Sequence, residues 1–320
     1  MNHTRLAHRP KGRALRATAL LAITACTLTA CGNGHDDASA SASSPAASAP
    51  AAGASSPAAS PGAEGPSDSA LRMIANGGHR LAFHVTPGHL PAIVLDAGGG
   101  EDSSQWKEIA PRLHSATGSQ IITYDRAGMG ASDEVPGPWK VENAVSDLEA
   151  GLRELGVTRN VVLVAHSQAG EVATYFTRDN PRLVSGAVLI DASLPQLYTD
   201  EQIARLVAAT APQVEAARKD TSKKANRQLI ATAESYVPLH EAYHEVTWPS
   251  SVPATVVVSE KTPFDGSPQD ARRWREAAAE FAAATPDRAL VTAWGSSHAI
   301  PHDRPGLVLE EIERMLGRLS

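Results

Sequence analysis

The chain has 320 residues, 42% of them hydrophobic, with 29 Lys and Arg against 35 Asp and Glu and only two cysteines. That is enough for one large or two small domains, and it excludes a collagen, a coiled coil and a disulfide-stapled miniature. Five basic residues (Arg5, Arg9, Lys11, Arg13, Arg16) and no acid fall before residue 32, so the remainder holds 24 basic against 35 acidic residues; a chain that acidic repels phosphate backbones, which argues against nucleic acid as a partner.

The basic start is followed by an apolar run from Ala17 to Ala30 that ends at Cys31-Gly32. The run is too short to span a bilayer, which takes about 20 residues; a basic region, a short apolar region and small residues at the break make a secretory signal. Leu28-Thr29-Ala30-Cys31 resembles the lipobox of bacterial lipoprotein precursors. The resemblance implies that Cys31 becomes the lipid-modified first residue of the mature chain, with enough acyl chains for stable anchoring. The protein is then expected outside the cytoplasm, on the outer face of the cell membrane. Cys26 leaves with the signal, and no disulfide forms. From Ala38 to Ala63 every residue is Ala, Ser, Pro or Gly, with nothing large enough to bury. Residues 32–68 are expected to be an unfolded tether reaching roughly 30 to 35 Å.

Residues 69–320 alternate short β-branched runs with longer helical patterns. Ala92-Ile93-Val94-Leu95, Gln120-Ile121-Ile122-Thr123-Tyr124, Val161-Val162-Leu163-Val164, Ala187-Val188-Leu189-Ile190 and Thr255-Val256-Val257-Val258 are near-continuous apolar runs, as parallel strands buried on both faces require. Between the second and third, Val141, Ala144, Val145, Leu148, Leu152 and Leu155 recur at helical spacing and stop at Gly156. The alternation predicts an α/β domain with a mostly parallel, doubly wound sheet flanked by helices. It lapses between Leu194 and Pro249, where stretches rich in Ala, Gln and Lys predict a helical cap insertion over 194–249.

After the third run, Ala165-His166-Ser167-Gln168-Ala169-Gly170 leads straight into a helical pattern from Glu171 to Arg178. A strand, a sharp turn with serine at its tip and a helix need small residues two before and two after the serine; Ala165 and Ala169 supply them. Leu95-Asp96-Ala97-Gly98-Gly99-Gly100 follows the first run, and Tyr124-Asp125-Arg126-Ala127-Gly128-Met129-Gly130-Ala131-Ser132 closes the second. Near the end, Gly295-Ser296-Ser297-His298 precedes Pro301-His302-Asp303-Arg304-Pro305. Taken in chain order, the segments resemble the oxyanion loop (95–100), the D-x-x-G-x-G-x-S turn (124–132), the nucleophile elbow (165–170) and the G-x-x-H loop (295–298) of the α/β-hydrolase family, over nearly all of residues 69–320.

The resemblance implies a serine hydrolase that cleaves a carboxylic ester, a lactone or a thioester through an acyl-enzyme, with a small-molecule substrate and no metal or organic cofactor. A serine hydroxyl is a poor nucleophile at neutral pH, so an imidazole must take its proton; His298 is the expected base, and activity should rise with pH as that imidazole becomes neutral. Two backbone N–H groups must hold the developing oxyanion. Gln168 and Gly98 are the expected donors, although three successive glycines leave the register open by one residue. A carboxylate must orient the histidine. The family's commonest turn after the late strand is G-x-x-D-P, but here Ser259-Glu260-Lys261-Thr262-Pro263 puts threonine in the acid's place. Asp191, at the end of the fourth run, is the expected acid, with Asp265 and Glu260 as alternatives. Asp125 and Arg126 are implied to be structural, the carboxylate holding loop amides. Trp106, Trp139 and Trp248 either line a pocket or pack.

Two rivals have footing in the sequence. His240-Glu241-Ala242-Tyr243-His244 matches H-E-x-x-H, which on a helix would set two imidazoles on one face for zinc. Thr247 and Ser250 interrupt any extended metalloprotease pattern, and Pro238 and Pro249 bracket what is expected to be a helix of barely two turns. The other rival is a non-catalytic binding or sensing protein on a hydrolase scaffold, supported by the acid missing after the late strand.

Overall fold

The computed structural model describes residues 69–320; the expected signal, Cys31 and the expected tether lie outside the described residues. The elements, in chain order, are β1 (Ala70–Asn76), β2 (His79–Thr86), β3 (His89–Asp96), α1 (Ile109–Thr117), β4 (Ser119–Tyr124), α2 (Val141–Glu154), β5 (Val161–His166), α3 (Ala169–Asp179) and β6 (Val184–Ile190). Then come α4 (Asp200–Arg218), α5 (Lys224–His244), β7 (Ala254–Ser259), α6 (Pro268–Ala283), β8 (Arg288–Ala293), α7 (Ile300–Asp303) and α8 (Pro305–Leu319).

The strands form one eight-stranded sheet in the order β1-β2-β4-β3-β5-β6-β7-β8. Only β2 runs against its neighbours; from β4 to β8 every pairing is parallel. Alternate residues of the central strands enter opposite cores. Leu163, Leu189 and Val256 pack with α2, α3 and α6 on one face, whereas Val164, Val188 and Val257 pack with α1 and α8 on the other. With water excluded from both faces, a polar side chain in these strands is costly unless it finds a partner, hence the near-continuous apolar runs.

Between β6 and β7, where the cap was expected, α4 and α5 form a helical hairpin. Thr199 starts α4 by accepting the Gln202 N–H on its hydroxyl (3.3 Å). Arg205 and Gln202 bind Asp270 of α6 at 2.9 and 3.0 Å, and Arg227 forms a forked pair with Glu134 at 2.7 and 2.8 Å. The short helix expected after Pro238 is instead the end of the 21-residue α5. Pro238 lies on its exposed face, where water can replace the ladder hydrogen bond that proline removes.

Candidate active site

Strands β5 and β6 end side by side at the carboxyl edge of the sheet, and each passes into a residue with a left-handed backbone: Ser167 at φ 55° and Asp191 at φ 40°. Non-glycine residues are rarely held there, and such strain gathers at functional sites. The elbow is tied down on three sides. The Ser167 N–H donates to Ile190 O at 3.1 Å, and its carbonyl accepts from the Gly170 and Ser193 amides, both at 2.9 Å. Ala165 and Ala169 are buried as the turn requires, but the closest approach falls one residue later. A Cβ on Gly170 would lie 2.4 Å from the Ser193 carbonyl oxygen and 2.8 Å from Ala192 Cβ. Gly170→Ala is therefore expected to destabilise the fold by about 1 to 3 kcal/mol through overpacking, measured as a lower urea midpoint with an unchanged slope.

His298 follows β8 on a loop that turns at Gly295, φ 76°, and is held by Asp303, whose carboxylate accepts from the Ser297 N–H (2.8 Å) and hydroxyl (2.6 Å). Its Nε2 is 2.9 Å from Ser167 Oγ and its Nδ1 is 2.6 Å from Asp191 Oδ2. The structure thus brings Ser167, His298 and Asp191 into one hydrogen-bonded series. Asp191 is 1% exposed and also accepts from the Ser259 N–H (3.0 Å), the Ser259 hydroxyl (2.6 Å) and Trp274 Nε1 (2.8 Å). Burial alone would raise its pKa, but the bonds and charge of His298 and the bonds from Ser259 outweigh it and hold the carboxyl below its ordinary value.

The other candidate acids lie elsewhere. Glu260 is exposed and accepts the Gly295 N–H at 2.6 Å, bracing the histidine loop from outside, and Asp265 is exposed. Thr262 is buried, its hydroxyl accepting the Phe264 N–H.

Gly98 departs from its expected role. Its N–H donates to Gln105 Oε1 at 2.9 Å. Arg126 fixes the loop from behind, donating to Asp96 Oδ1, to Ala97 O and to Gly98 O, the last two at 2.6 Å. In a planar trans peptide the N–H points opposite to the carbonyl, so the held Gly98 carbonyl turns the Gly99 N–H away from Arg126. Among the described residues, nothing accepts a hydrogen bond from the Gly99 or Gln168 N–H. Asp125 holds the amides of Ser103 and Ala131, each at 2.8 Å, the structural task expected of that turn.

Gln105 also ties the glycine loop to the histidine. The Gly98 N–H can only donate, so the Gln105 amide oxygen faces it and the amide nitrogen faces His166 Nδ1 at 2.7 Å. The His166 proton then sits on Nε2, which donates to the His298 carbonyl at 2.9 Å. Burial, helped by the nearby charge of His298, pushes the His166 pKa down to about 3. An unfolded histidine titrates near 6.5, so this neutral side chain makes stability fall as pH drops below that value.

A cavity of about 560 Å³, part of it open to solvent, lies over Ser167, Gln168 and Gly99. Tyr198, Tyr236, Phe264 and Trp274 line it, as do Glu171 and His240. Trp106 and Trp248 are packed in the core, while Trp139 lines a neighbouring cavity that shares Gln168 and Thr232 with this one. The H-E-x-x-H imidazoles are engaged separately. His240 is buried against Glu171 and Tyr236 O, and His244 bonds Pro195 O at 3.0 Å from the surface.

A family model described as "Alpha/beta hydrolase family" matches residues 93–311. The chain belongs to the α/β-hydrolase family. Among relatives of this α/β hydrolase, the uncharacterized protein YqjL of Bacillus subtilis (strain 168) is 27% identical over 220 residues, covering 68% of this chain and 79% of YqjL. Two solved structures share the fold. A bromoperoxidase from Bacillus anthracis superposes with TM-score 0.60 at 16% identity, covering 78% of this chain and all of that one. A thermophilic esterase from Thermogutta terrifontis superposes with TM-score 0.55 at 21% identity, covering 78% and 99%.

Proposed function

We propose that this α/β hydrolase is a serine hydrolase that cleaves a carboxylic ester, or a close relative such as a lactone or thioester. The observation that carries the reading is the hydrogen-bonded series from Ser167 Oγ through the His298 ring to Asp191, set at the floor of a cavity. Ser167 Oγ attacks the ester carbonyl while its proton passes to His298 Nε2. Asp191 accepts from His298 Nδ1 and stabilises the imidazolium. The oxyanion takes hydrogen bonds from the Gln168 and Gly99 amides in place of the Gly98 amide, each worth about 3 to 4 kcal/mol in comparable sites. The alcohol leaves with the proton from Nε2, and the acyl group stays on Ser167. A water then gives its proton to Nε2 and displaces the acyl group as the acid, restoring the serine.

The test is hydrolysis of short-chain p-nitrophenyl esters, blocked by a fluorophosphonate and insensitive to a chelator. Inhibition by the chelator alone would instead favour a metal enzyme.

The same proposal extends to location. Cys31 carries the lipid anchor, and residues 32–68 space residues 69–320 from the outer face of the membrane. Cells fed an alkynyl fatty acid are expected to label the wild-type protein and not Cys31→Ser; a label that persists in the variant contradicts the anchor.

A further inference from the structure

The cavity over Ser167 holds a second buried carboxylate that the proposed reaction does not use. Glu171, 3% exposed, stands on the first turn of α3, about 6 Å along the helix from the nucleophile. Its Oε1 accepts from the Ser193 hydroxyl at 3.0 Å and faces His240 Nε2 at 3.1 Å. Its Oε2 is buried and without a protein partner, an arrangement that is costly until a donor is supplied.

Hydrogen-bond accounting limits what that donor can be. His240 Nδ1 lies 2.7 Å from the Tyr236 carbonyl, which can only accept, so Nδ1 carries a proton. The Nε2 contact with Oε1 then needs a second proton, shared between the imidazole and the carboxyl. Wherever that proton rests, the pair has no net charge and Oε2 is an acceptor. His240 is packed between the Tyr198 and Tyr236 rings, with centroids 3.9 and 4.0 Å away, which fixes the pair in place. Leu206, Phe264 and Trp274 give the same cavity an apolar wall suited to a carbon chain.

We propose that Glu171 sets substrate choice, its Oε2 accepting a hydrogen bond from a neutral hydroxyl carried by the ester substrate. The inference rests on the serine-hydrolase reading and names the substrate class of that same site. A neutral pair gives a hydroxyl a partner but gives an ammonium group no counter-charge, so hydroxy esters are favoured over amino esters.

The test compares matched substrates on the full chain. As p-nitrophenyl esters these are 3-hydroxybutyrate with butyrate, and 6-hydroxyhexanoate with hexanoate and 6-aminohexanoate; the 2-hydroxyethyl and propyl esters of butyric acid place the hydroxyl on the alcohol side. At least one hydroxylated member is expected to exceed its plain partner by about tenfold or more in kcat/KM, with the ratio falling to about one in Glu171→Met. Equal rates for every pair, preference for the amino ester, or a ratio unchanged in Glu171→Met each overturn the inference while leaving the hydrolase reading standing. If no member is hydrolysed the inference falls, and fluorophosphonate labelling of Ser167 then decides whether the hydrolase reading falls with it.

Discussion

Ser167→Ala is expected to lower kcat toward any ester by about 10⁵-fold or more, because the proposed nucleophile is lost and only binding and oxyanion stabilisation are left. The alanine removes one oxygen and keeps the backbone. Its carbonyl still accepts the Gly170 and Ser193 amides, so the thermal midpoint should stay close to the parent's. That pairing separates a chemical loss from a structural one, and stopped-flow release of p-nitrophenol from the purified variant reads it directly. A variant within tenfold of the parent would remove Ser167 from the reaction.

Asp191→Asn is the second large effect, at about 10⁴-fold in kcat. An asparagine keeps the size of the side chain but presents an amide where His298 Nδ1 needs an acceptor, which favours the wrong imidazole tautomer. Glu260→Gln and Asp265→Asn are the controls. Neither side chain reaches the histidine ring: Glu260 braces the loop at Gly295, and Asp265 is exposed. Each should retain activity within about tenfold, since changes away from the hydrogen-bonded series remove no transition-state interaction. Asp191 also carries a stability signature. Its folded pKa lies below the unfolded value, so its contribution is present above the ordinary carboxylate range and is lost as pH falls through the folded pKa. Acid unfolding of Asp191→Asn should accordingly depend less steeply on pH than that of the parent.

The sequence is most informative where a residue's neighbours lie along the chain. Strands β3 to β7 could be located because both faces of each are covered. Strands β1 and β8 are edge strands with mostly exposed or half-buried residues, and β2 pairs antiparallel beside an edge, so none of the three carries a long apolar run. The places of Ser167 and His298 follow from local turn chemistry, and Asp191 could be ranked first among the acids because it closes an apolar run. Whether these three side chains meet is a tertiary fact, as are the partners that hold them. Trp274 reaches Asp191 across 83 positions and Ser259 across 68. Ser259 had a signal of its own: it stands at the end of a buried strand where the family's turn has glycine, and a hydroxyl there needs a partner. Gln105, in contrast, sits in an ordinary 3₁₀ turn, and its bonds to Gly98 and His166 depend on how the loops close. The same limit explains Gly98, whose amide faces Gln105, and Glu171, which reads in sequence only as a favourable first-turn acid.

If Ser167 Oγ becomes covalently bonded to part of the substrate, intact-mass spectrometry of the protein caught during turnover of a slow p-nitrophenyl ester will detect the bond. The expected result is a mass increase equal to one acyl group, mapped by proteolysis to the peptide holding Ser167, removed on standing in buffer, and absent from Ser167→Ala. Turnover without any adduct in rapidly quenched samples, or an adduct mapped to another residue and kept in Ser167→Ala, would contradict it.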